Sequence, residues 1–373
     1  MPTNSSNQSE DHVHARAAGL VYVSDVEPGI RRVPKGTGFS YQLPSGKVLT
    51  KASELARIRA LAVPPAWVEV WICLTASGHI QATGRDDQGR KQYRYHNAWR
   101  ELRDENKYDR ILDFARVLPR IRRQVERDMS ARGAPTKAKV LATVVSLLDK
   151  TLIRIGNGEY ARQNDSYGLT TLRNRHLAVK GSELRFHFKG KSGKVWRLNV
   201  RDRRIARVVR GIQELPGQHL FQYVDEDGET RAITSGDVNE YLREVSGEDV
   251  SAKDFRTWAG TVLAVLALAA AGPFETQTQS KMNVRRAIEA VATRLGNTVA
   301  VCRKCYVHPE VIDCYLEGAL PVVQANGNAR PLRGLPPEEK AVLTLLEKRL
   351  RLKRRRSRAR RPSTNAAALR KAA

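Results

Sequence analysis

The sequence predicts an α+β protein, in which a small, mostly antiparallel β domain precedes a larger, mainly helical domain that contains a β-hairpin. From residue 20 to about residue 105, short apolar or β-branched segments alternate with turn residues, which is typical of short strands. Beyond that point, apolar residues recur at helical spacing. The 373 residues, 41% of them hydrophobic, suffice for two domains of ordinary size. We predict a disordered lead-in over 1–19, domains over 20–105 and 106–325, and a basic tail over 326–373 that is largely flexible apart from a short charged helix near residues 336–351.

The turn signals of the first domain are clusters of glycine, proline, serine and aspartate. They divide the apolar segments into pieces of strand length, and one helix is predicted near residues 53–62. Residues 1–19 are polar and contain no apolar stretch, so we expect neither a folded segment nor a signal peptide there. The turn clusters are Gly36-Thr37-Gly38, Pro44-Ser45-Gly46, Pro64-Pro65, Ser77-Gly78 and Asp86-Asp87-Gln88-Gly89.

The second domain begins with two predicted helices, over 109–130 and 136–153. The second helix carries an apolar stripe at positions i, i+3, i+4, i+7 and i+11, which lie on one helix face. A later helix over 251–271 opens with a capping box formed by Ser251 and Asp254. The stripe consists of Leu141, Val144, Val145, Leu148 and Leu152. The remaining predicted helices span 202–213, 235–245 and 283–295, and Gly296 ends the last of them.

A β-hairpin with a lysine- and glycine-rich tip is predicted between these helices. Its tip, Lys189-Gly190-Lys191-Ser192-Gly193-Lys194, resembles the end of a phosphate-binding P-loop, but Arg185 stands where that motif requires glycine. The tip also joins two strands and does not open a helix. We therefore predict a hairpin and no nucleotide site. The alternating apolar residues are Leu184, Phe186 and Phe188 on one arm and Trp196, Leu198 and Val200 on the other.

The charge of the chain predicts a polyanionic partner. Lysine and arginine number 65 against 39 acidic residues, giving a net charge of +26 and a pI near 10.3. Residues 348–373 contribute twelve basic and no acidic side chains, which leaves +14 for the rest of the chain. Because the body is basic in its own right, a nucleic acid is the expected ligand.

The cysteines and the apolar segments predict a reduced cytoplasmic protein without a membrane span. Four cysteines in a chain of this length do not form a disulfide framework. Cys302, Cys305, His308 and Cys314 suggest a zinc site only weakly, because the second cysteine pair of a zinc finger is absent. The apolar run over 261–272 is short and rich in alanine, so it predicts a buried helix. We predict no metal and no cofactor.

The segment from Leu295 to Pro309 carries the candidate nucleophile, Tyr306, shortly after the helix break at Gly296. An ordinary phenol is mostly protonated at neutral pH, so phosphoryl chemistry at a tyrosine requires nearby cations. Three cations occupy unusual positions: Arg154 within an apolar helix end, Arg256 at the start of an apolar helix, and Lys191 at the hairpin tip. From the residues alone, structural explanations are the commoner ones: a tyrosine with a buried ring and a solvated hydroxyl, a paired, partly buried arginine, a snorkelling arginine at a helix end and a solvated loop lysine.

Several separated motifs resemble the type IB DNA topoisomerases, in their small bacterial and poxvirus-like form. The resemblance spans roughly residues 20–320. It rests on RALAVPPAW over 59–67, residues 81–96, LIRIGN over 152–157, GLTTL over 168–172, FKGK over 188–191, KDFRTW over 253–258, and the segment from Leu295 to Pro309. It implies a monomer that closes as a C-shaped clamp around double-stranded DNA, with an amino-terminal DNA-binding domain and a carboxy-terminal catalytic domain. It also implies a cytoplasmic, nucleoid-associated enzyme that relaxes supercoils without ATP or an obligatory metal.

The resemblance also implies the roles of individual residues. Tyr306 would attack a backbone phosphorus and form a 3′-phosphotyrosyl link, and Lys191 would protonate the departing 5′-oxygen as general acid. Arg154 and Arg256 would bind the nonbridging oxygens. Many relatives have histidine nine residues before the tyrosine, where this chain has Asn297, an amide that donates a hydrogen bond but carries no charge.

Four further residues are similar to the family's DNA contacts: Gln92, Tyr93 and Tyr95 in the first domain and Tyr160 near the cleavage site. Two alternatives remain open at this point. A site-specific tyrosine recombinase shares the catalytic fold, but such enzymes typically have histidine where this chain has Lys253. A noncatalytic, basic DNA-binding protein would bind DNA without breaking it.

Overall fold

The structure is a computed structural model that describes residues 12–87, 89–321 and 334–359. The chain divides into two units, Met1–Asp109 and Arg110–Ala373. The first is built on a five-stranded antiparallel sheet, and the second is mostly helical with two small sheets. The predicted α+β class is confirmed.

The sheet of the first unit has the strand order β2-β1-β3-β4-β5. Its core lies between one sheet face and helix α2, Ala52–Ala60, which matches the helix predicted near residues 53–62. Ile30, Ile58 and Ile72 are buried there. The strands are β1 Ile30–Lys35, β2 Gly38–Gln42, β3 Val68–Ile72, β4 Ile80–Arg85 and β5 Lys91–Tyr95.

The predicted disordered lead-in is wrong for its last part. Residues 12–17 form a helix, α1, and residues 1–11 lie outside the described residues. Ala15 is fully buried in a cluster with Leu20 and Trp99. A single buried alanine leaves no apolar pattern in a polar segment, so its burial depends on a tryptophan that is distant in sequence.

Helix α3, Asn97–Ser130, is longer than the helix predicted over 109–130. Its first turns are polar and show no apolar periodicity, which explains the late predicted start. From Ile111 onward it buries Phe114, Leu118 and Ile121 in the core of the second unit. The division between the two units at residue 109 therefore falls within a continuous helix.

The second unit has its core around α4, whose predicted stripe is fully buried. Thr136 caps this helix, accepting a hydrogen bond from the backbone N–H of Lys139. The short helix α10 precedes Tyr306, and α11 follows it. The helices are α4 Lys137–Thr151, α5 Gly158–Asn164, α6 Arg203–Gln213, α7 Ser235–Ser246, α8 Ala252–Ala271, α9 Gln277–Leu295, α10 Val299–Cys305, α11 Pro309–Leu316 and α12 Pro337–Ala359.

The predicted hairpin is confirmed, with its apolar arms facing the core. Phe186 pairs with Leu198 and Phe188 with Trp196 across strands β7 and β8. A third strand, β6, pairs with β7 and was not predicted, because four residues are too few to show alternation. The strands are β6 Leu177–Lys180, β7 Glu183–Lys189 and β8 Val195–Arg201, and a separate small hairpin joins β9 Gln222–Val224 to β10 Thr230–Ala232.

Helix α8 is long and apolar enough to cross a membrane by length and composition, alone among the helices of the described ranges. Most of its apolar window is buried, and Trp258, Val265 and Leu268 lie in the core, where α8 packs against α9 and α4. It is a core helix, as its alanine-rich sequence predicts.

The short charged helix predicted near residues 336–351 is present but longer: α12 spans Pro337–Ala359, so the prediction of a flexible tail is wrong for residues 352–359. Val342 and Leu346 of this helix are fully buried in the core of the second unit. Arg122 of α3 binds Glu339 of α12 at 2.8 Å and Asp149 of α4 at 2.9 Å. The apolar face of α12 is narrow and its sequence highly charged, so the docking depends on partners elsewhere in the fold. Residues 322–333 and 360–373 lie outside the described ranges.

Candidate active site

Arg154 lies in an extended segment just after α4. The helix ends at Leu152, which has a left-handed backbone with φ of 60°. The backbone N–H of Leu169 donates to the Arg154 carbonyl at 2.9 Å and holds this segment in place. The half-buried guanidinium donates to Asn297 Oδ1 and, at 3.4 Å, to the Gly296 carbonyl. A cation from the end of α4 thus reaches the loop after α9.

Arg256 lies in the first turns of α8 and is only 3% exposed. Its two terminal nitrogens donate to the carbonyls of Leu152 and, at 2.7 Å, Leu295. Burial lowers the pKa of the Arg256 guanidinium, and repulsion from Arg154 lowers it further. Because a guanidinium is a very strong base, the group stays cationic. Arg256 is therefore a buried cation anchored to two backbone carbonyls, and its side chain does not extend toward solvent as a snorkelling arginine would.

Tyr306 is the residue that ends α10, and its ring lies beside Arg256. The guanidinium carbon of Arg256 is 5.2 Å from the centroid of the Tyr306 ring. The turn between α9 and α10 requires glycine at position 296 for two reasons. The φ angle of Gly296 is 63°, a left-handed conformation that favours glycine, and a Cβ atom there would lie 2.7 Å from Cζ2 of Trp196. The tight turn after α9 therefore brings α10 and the half-buried tyrosine next to the buried cation.

Asn297 joins the two arginines through one oxygen. Oδ1 accepts from Arg154 and, at 3.5 Å, from Arg256. A guanidinium can only donate, so this arrangement directs the amide oxygen toward the arginines. The Nδ2 atom is buried and has no hydrogen-bond partner among the described residues. A buried donor without an acceptor is costly, so the amide N–H₂ is suited to receive an anionic oxygen.

Lys191 lies at the hairpin tip, where its side chain is exposed. Its ammonium is 5.9 Å from the centroid of the Tyr160 ring, so the structure brings these two predicted site residues together. Within the described residues, Lys191 forms no hydrogen bond or ion pair with Tyr306 or with either arginine. The part of the hairpin next to the tip contacts the pocket instead. Trp196 packs over Gly296, and a Cβ atom on Gly190 would lie 2.7 Å from Nε1 of Trp196.

The cysteines near Tyr306 are packing residues. Cys302 is fully buried, and burial raises the pKa of its thiol to about 11. Burial likewise raises the pKa of Cys314. Within the described ranges, no group of three or more His, Cys, Asp or Glu side chains is placed to hold a metal ion.

Comparisons with known proteins decide the family. The family model "Eukaryotic DNA topoisomerase I, catalytic core" matches residues 96–319, and "Bacterial DNA topoisomerase IB, N-terminal domain" matches residues 38–86. DNA topoisomerase 1B of Acanthamoeba polyphaga mimivirus is 31% identical over 294 residues, which cover 77% of this chain and 87% of that protein. The chain belongs to the type IB DNA topoisomerases. DNA topoisomerase 1B of vaccinia virus strain Copenhagen and DNA topoisomerase I of monkeypox virus are each 31% identical over 111 residues, covering 29% of this chain and 34% of the viral protein.

This membership settles the alternatives that the sequence left open. The chain is a DNA topoisomerase, an isomerase that acts on DNA, and the match to the bacterial amino-terminal model separates it from the tyrosine recombinases. A noncatalytic role for the basic body is likewise excluded by the match of the catalytic-core model.

The predicted DNA contacts of the topoisomerase's first unit lie on two faces of strand β5. Tyr93 and Tyr95 stack with their centroids 5.7 Å apart and their planes at 11°, and Tyr93 is 41% exposed. Lys91 lies on the same face, 5.6 Å above the Tyr93 ring. Strand alternation places Gln92 on the opposite face, where its Nε2 donates to Asp86 at 2.9 Å. The structure therefore brings together the two tyrosines but not Gln92.

Two neighbouring residues of α8 position the Tyr306 segment and were not predicted. Gly260 packs so closely that a Cβ atom would lie 2.5 Å from the Tyr306 carbonyl oxygen. The buried Thr261 hydroxyl accepts from the backbone N–H of His308 at 3.2 Å. The available signal was a glycine within an alanine-rich helix, where alanine is otherwise the better helix former. Trp196 was predicted only as an apolar hairpin residue.

Gly260→Ala is expected to slow covalent attachment of the topoisomerase to DNA by at least about tenfold. The added methyl must push the Tyr306 backbone away, and a displacement near 1 Å costs up to about 10²-fold in a positioned reaction. The measurement is the single-turnover rate of adduct formation on a DNA substrate. Gly211→Ala in α6 is the matched control, because no atom lies within 4 Å of its Cβ position. Equal rates for the two variants would contradict the positioning role of Gly260.

Proposed function

We propose that this topoisomerase relaxes duplex DNA by using Tyr306 as the nucleophile, in a pocket formed by Arg154, Arg256 and Asn297. The observation that carries the proposal is the meeting of these residues: both guanidinium groups donate to the same Asn297 oxygen, and one of them lies beside the Tyr306 ring. They come from four separate segments of the second unit: the stretch after α4, helix α8, the loop after α9 and the end of α10. A structural tyrosine requires no such concentration of positive charge.

The chemistry is a reversible exchange of phosphodiester bonds. The Tyr306 phenol loses its proton and its oxygen forms a bond to phosphorus, while the bond from phosphorus to the 5′-oxygen breaks. Arg154 and Arg256 stabilise the negative charge that develops on the nonbridging oxygens, and Asn297 Nδ2 donates to one of them. Rotation of the free end changes the linking number. The 5′-hydroxyl then attacks the 3′-phosphotyrosyl group and restores the strand. One phosphodiester is exchanged for another, so ATP is not consumed.

Lys191 is proposed as the general acid that protonates the departing 5′-oxygen. Its position over Tyr160 places an ammonium on the exposed hairpin tip, within reach of a backbone that contacts Tyr160. Trp196, which lies next to the hairpin tip, packs against Gly296, so the tip is held close to the loop that carries Asn297. General-acid catalysis of this kind contributes roughly 10²–10⁴-fold.

The proposed substrate is double-stranded DNA held by a monomeric clamp. The exposed Tyr93 ring stacks on the partly buried Tyr95 ring beside Lys91, which suits contact with a groove or with phosphates. Tyr160 is proposed to contact a phosphate near the cleavage site, and Gln92 a base edge or the backbone. The net charge of +26 supplies the long-range attraction, and the nucleoid is the proposed place of action.

Supercoiled plasmid tests the activity and its cofactor requirement together. The purified protein is expected to convert the plasmid to a ladder of relaxed topoisomers in buffer containing EDTA and no ATP. The covalent adduct is trapped with detergent, and the attached peptide is identified by mass spectrometry. An unchanged plasmid would overturn the activity, relaxation only with added Mg²⁺ would overturn metal independence, and an adduct on another residue would overturn the role of Tyr306.

Asn297→Asp is expected to reduce the cleavage rate by about 10²-fold or more, because loss of one donor to transition-state charge typically costs about 10²–10³-fold. The carboxylate keeps an acceptor for the arginines but replaces the N–H₂ donor with a negative oxygen that repels phosphate. Asn297→His, which restores a donor, is expected to retain activity. The measurement is single-turnover cleavage with DNA affinity determined in parallel. Wild-type cleavage by Asn297→Asp would rule out donation from Nδ2.

A further inference from the structure

Glu310, four residues after Tyr306, is a buried carboxylate that the proposed chemistry does not use. It lies in the first turn of α11, and its side chain is 2% exposed. Both of its oxygens bind cations from α12: Oε2 accepts from Arg349 at 3.1 Å, and Oε1 accepts from Lys353. A buried charge persists only where it is paired, so this carboxylate depends on a helix that follows it by about 40 residues in the chain.

Arg349 holds α11 at both ends. In addition to Glu310, its two terminal nitrogens donate to Glu317 at 2.5 and 2.9 Å, and Glu317 is the residue that ends α11. The side chain of Arg349 is 18% exposed. These bonds raise the pKa of Arg349, so it is a permanent cation. Helix α12 itself is anchored by buried Val342 and Leu346 and by its ion pairs with α3.

The junction between α10 and α11 contains only Tyr306, Val307 and the helix cap His308. Tyr306 ends α10, and the side chain of His308 caps α11 by accepting from the backbone N–H of Glu310. Val307 and His308 are buried, so the junction follows any movement of α11. The position of α11 is therefore transmitted to the tyrosine through three residues.

We propose that Arg349 and Lys353 are positioning residues, which hold Tyr306 in place through Glu310 and α11. The inference rests on Tyr306 being the nucleophile. It assigns α12 a role in catalysis that is separate from the charge of the tail beyond it. Within the described residues, Arg349 and Lys353 form no hydrogen bond with Arg154, Arg256 or Asn297. Their effect on Tyr306 therefore passes through α11.

The test compares full-length variants of one ion-pair network. Arg349→Met removes a cation that Glu310 and Glu317 share. It is expected to slow single-turnover cleavage by about tenfold, since small displacements of a reacting group have effects of this size. Its DNA affinity is expected to stay within about twofold of wild type. The double variant Arg349→Met/Glu310→Gln removes the buried charge as well and is expected to recover most of the cleavage rate. Arg349→Lys keeps a cation, but a single ammonium cannot bridge Glu310 and Glu317 at once, so it is also expected to slow cleavage and serves where the methionine variant does not fold.

The control is Arg116→Met, which breaks another bridge to α12, to Glu347 at 2.7 Å, without touching α11. It is expected to cleave at the wild-type rate. All rates are measured well below each variant's unfolding midpoint, after the adduct of the wild-type protein has been mapped to Tyr306. An adduct on another residue defeats the proposed nucleophile. With Tyr306 confirmed, the positioning role is overturned if Arg349→Met or Arg349→Lys cleaves like wild type, if Arg116→Met slows cleavage equally, or if Glu310→Gln gives no recovery.

Discussion

Tyr306→Phe is expected to bind duplex DNA with nearly wild-type affinity and to form no covalent adduct. The substitution removes the hydroxyl that we propose to attack phosphorus and leaves the ring beside Arg256, so the pocket keeps its shape and charge. Plasmid relaxation should fall below detection. The measurements are detergent-trapped adduct on a labelled duplex and, separately, the dissociation constant of the noncovalent complex.

Tyr315→Phe is the matched control for this experiment. Tyr315 lies in the next helix, and its buried hydroxyl accepts from Asn283 Nδ2 at 2.7 Å and donates to the Gly272 carbonyl at 3.0 Å. Loss of that hydroxyl should lower stability by about 1–3 kcal/mol, because it leaves the buried Asn283 amide without an acceptor, and should leave adduct formation intact. Adduct persisting in Tyr306→Phe would move the nucleophile to another residue.

Arg256→Lys is expected to reduce the rate of cleavage by about 10²–10³-fold, although the charge is retained. The guanidinium donates to Leu152 and Leu295 while it faces Tyr306, and a single ammonium cannot span these positions. The variant therefore loses a preorganised donor to the transition state, for which a loss of this size is typical. It also leaves a buried carbonyl without a donor, which costs about 1–3 kcal/mol of stability.

Arg294→Lys separates the special position of Arg256 from a general sensitivity to arginine replacement. Arg294 is exposed near the end of α9 and makes one bond, to the Lys150 carbonyl at 3.2 Å. Its replacement is expected to change the cleavage rate by less than about twofold, as for a surface position. The measurement is single-turnover cleavage at saturating protein. The assignment of Arg256 to the phosphate would fail if both variants cleaved at similar rates.

Local pattern predicted the elements that bury a continuous apolar face. The stripe of α4, the alternating arms of the β7 and β8 hairpin, and the alanine-rich α8 were all found where the sequence placed them, because each carries its own periodicity. The elements that were missed lack such a signal. Helix α1 is fixed by Ala15 against Trp99, and β6 is four residues long.

The full length of α12 and its docking on the second unit are the largest departure from prediction, and the cause is electrostatic. Its sequence has few apolar residues and many charges, which is typical of a solvated arm. In the fold, its acidic residue Glu339 meets the largely buried Arg122, and its basic residues meet Glu310. No pattern within the helix indicates those partners, because they lie on α3 and α11.

By itself, the sequence determined the class of the fold, the basic character of the protein and, through motifs that resemble a family, which side chains belong to the candidate site. Only the tertiary structure decided how they meet. Arg154 and Asn297 are 143 residues apart in the chain, and a single amide oxygen joins them. Which of two amide atoms faces a cation, and which helix neutralises Glu310, depend on distances between separate elements. Sequence spacing encodes only neighbours along one helix or strand, so such contacts become visible when the elements pack.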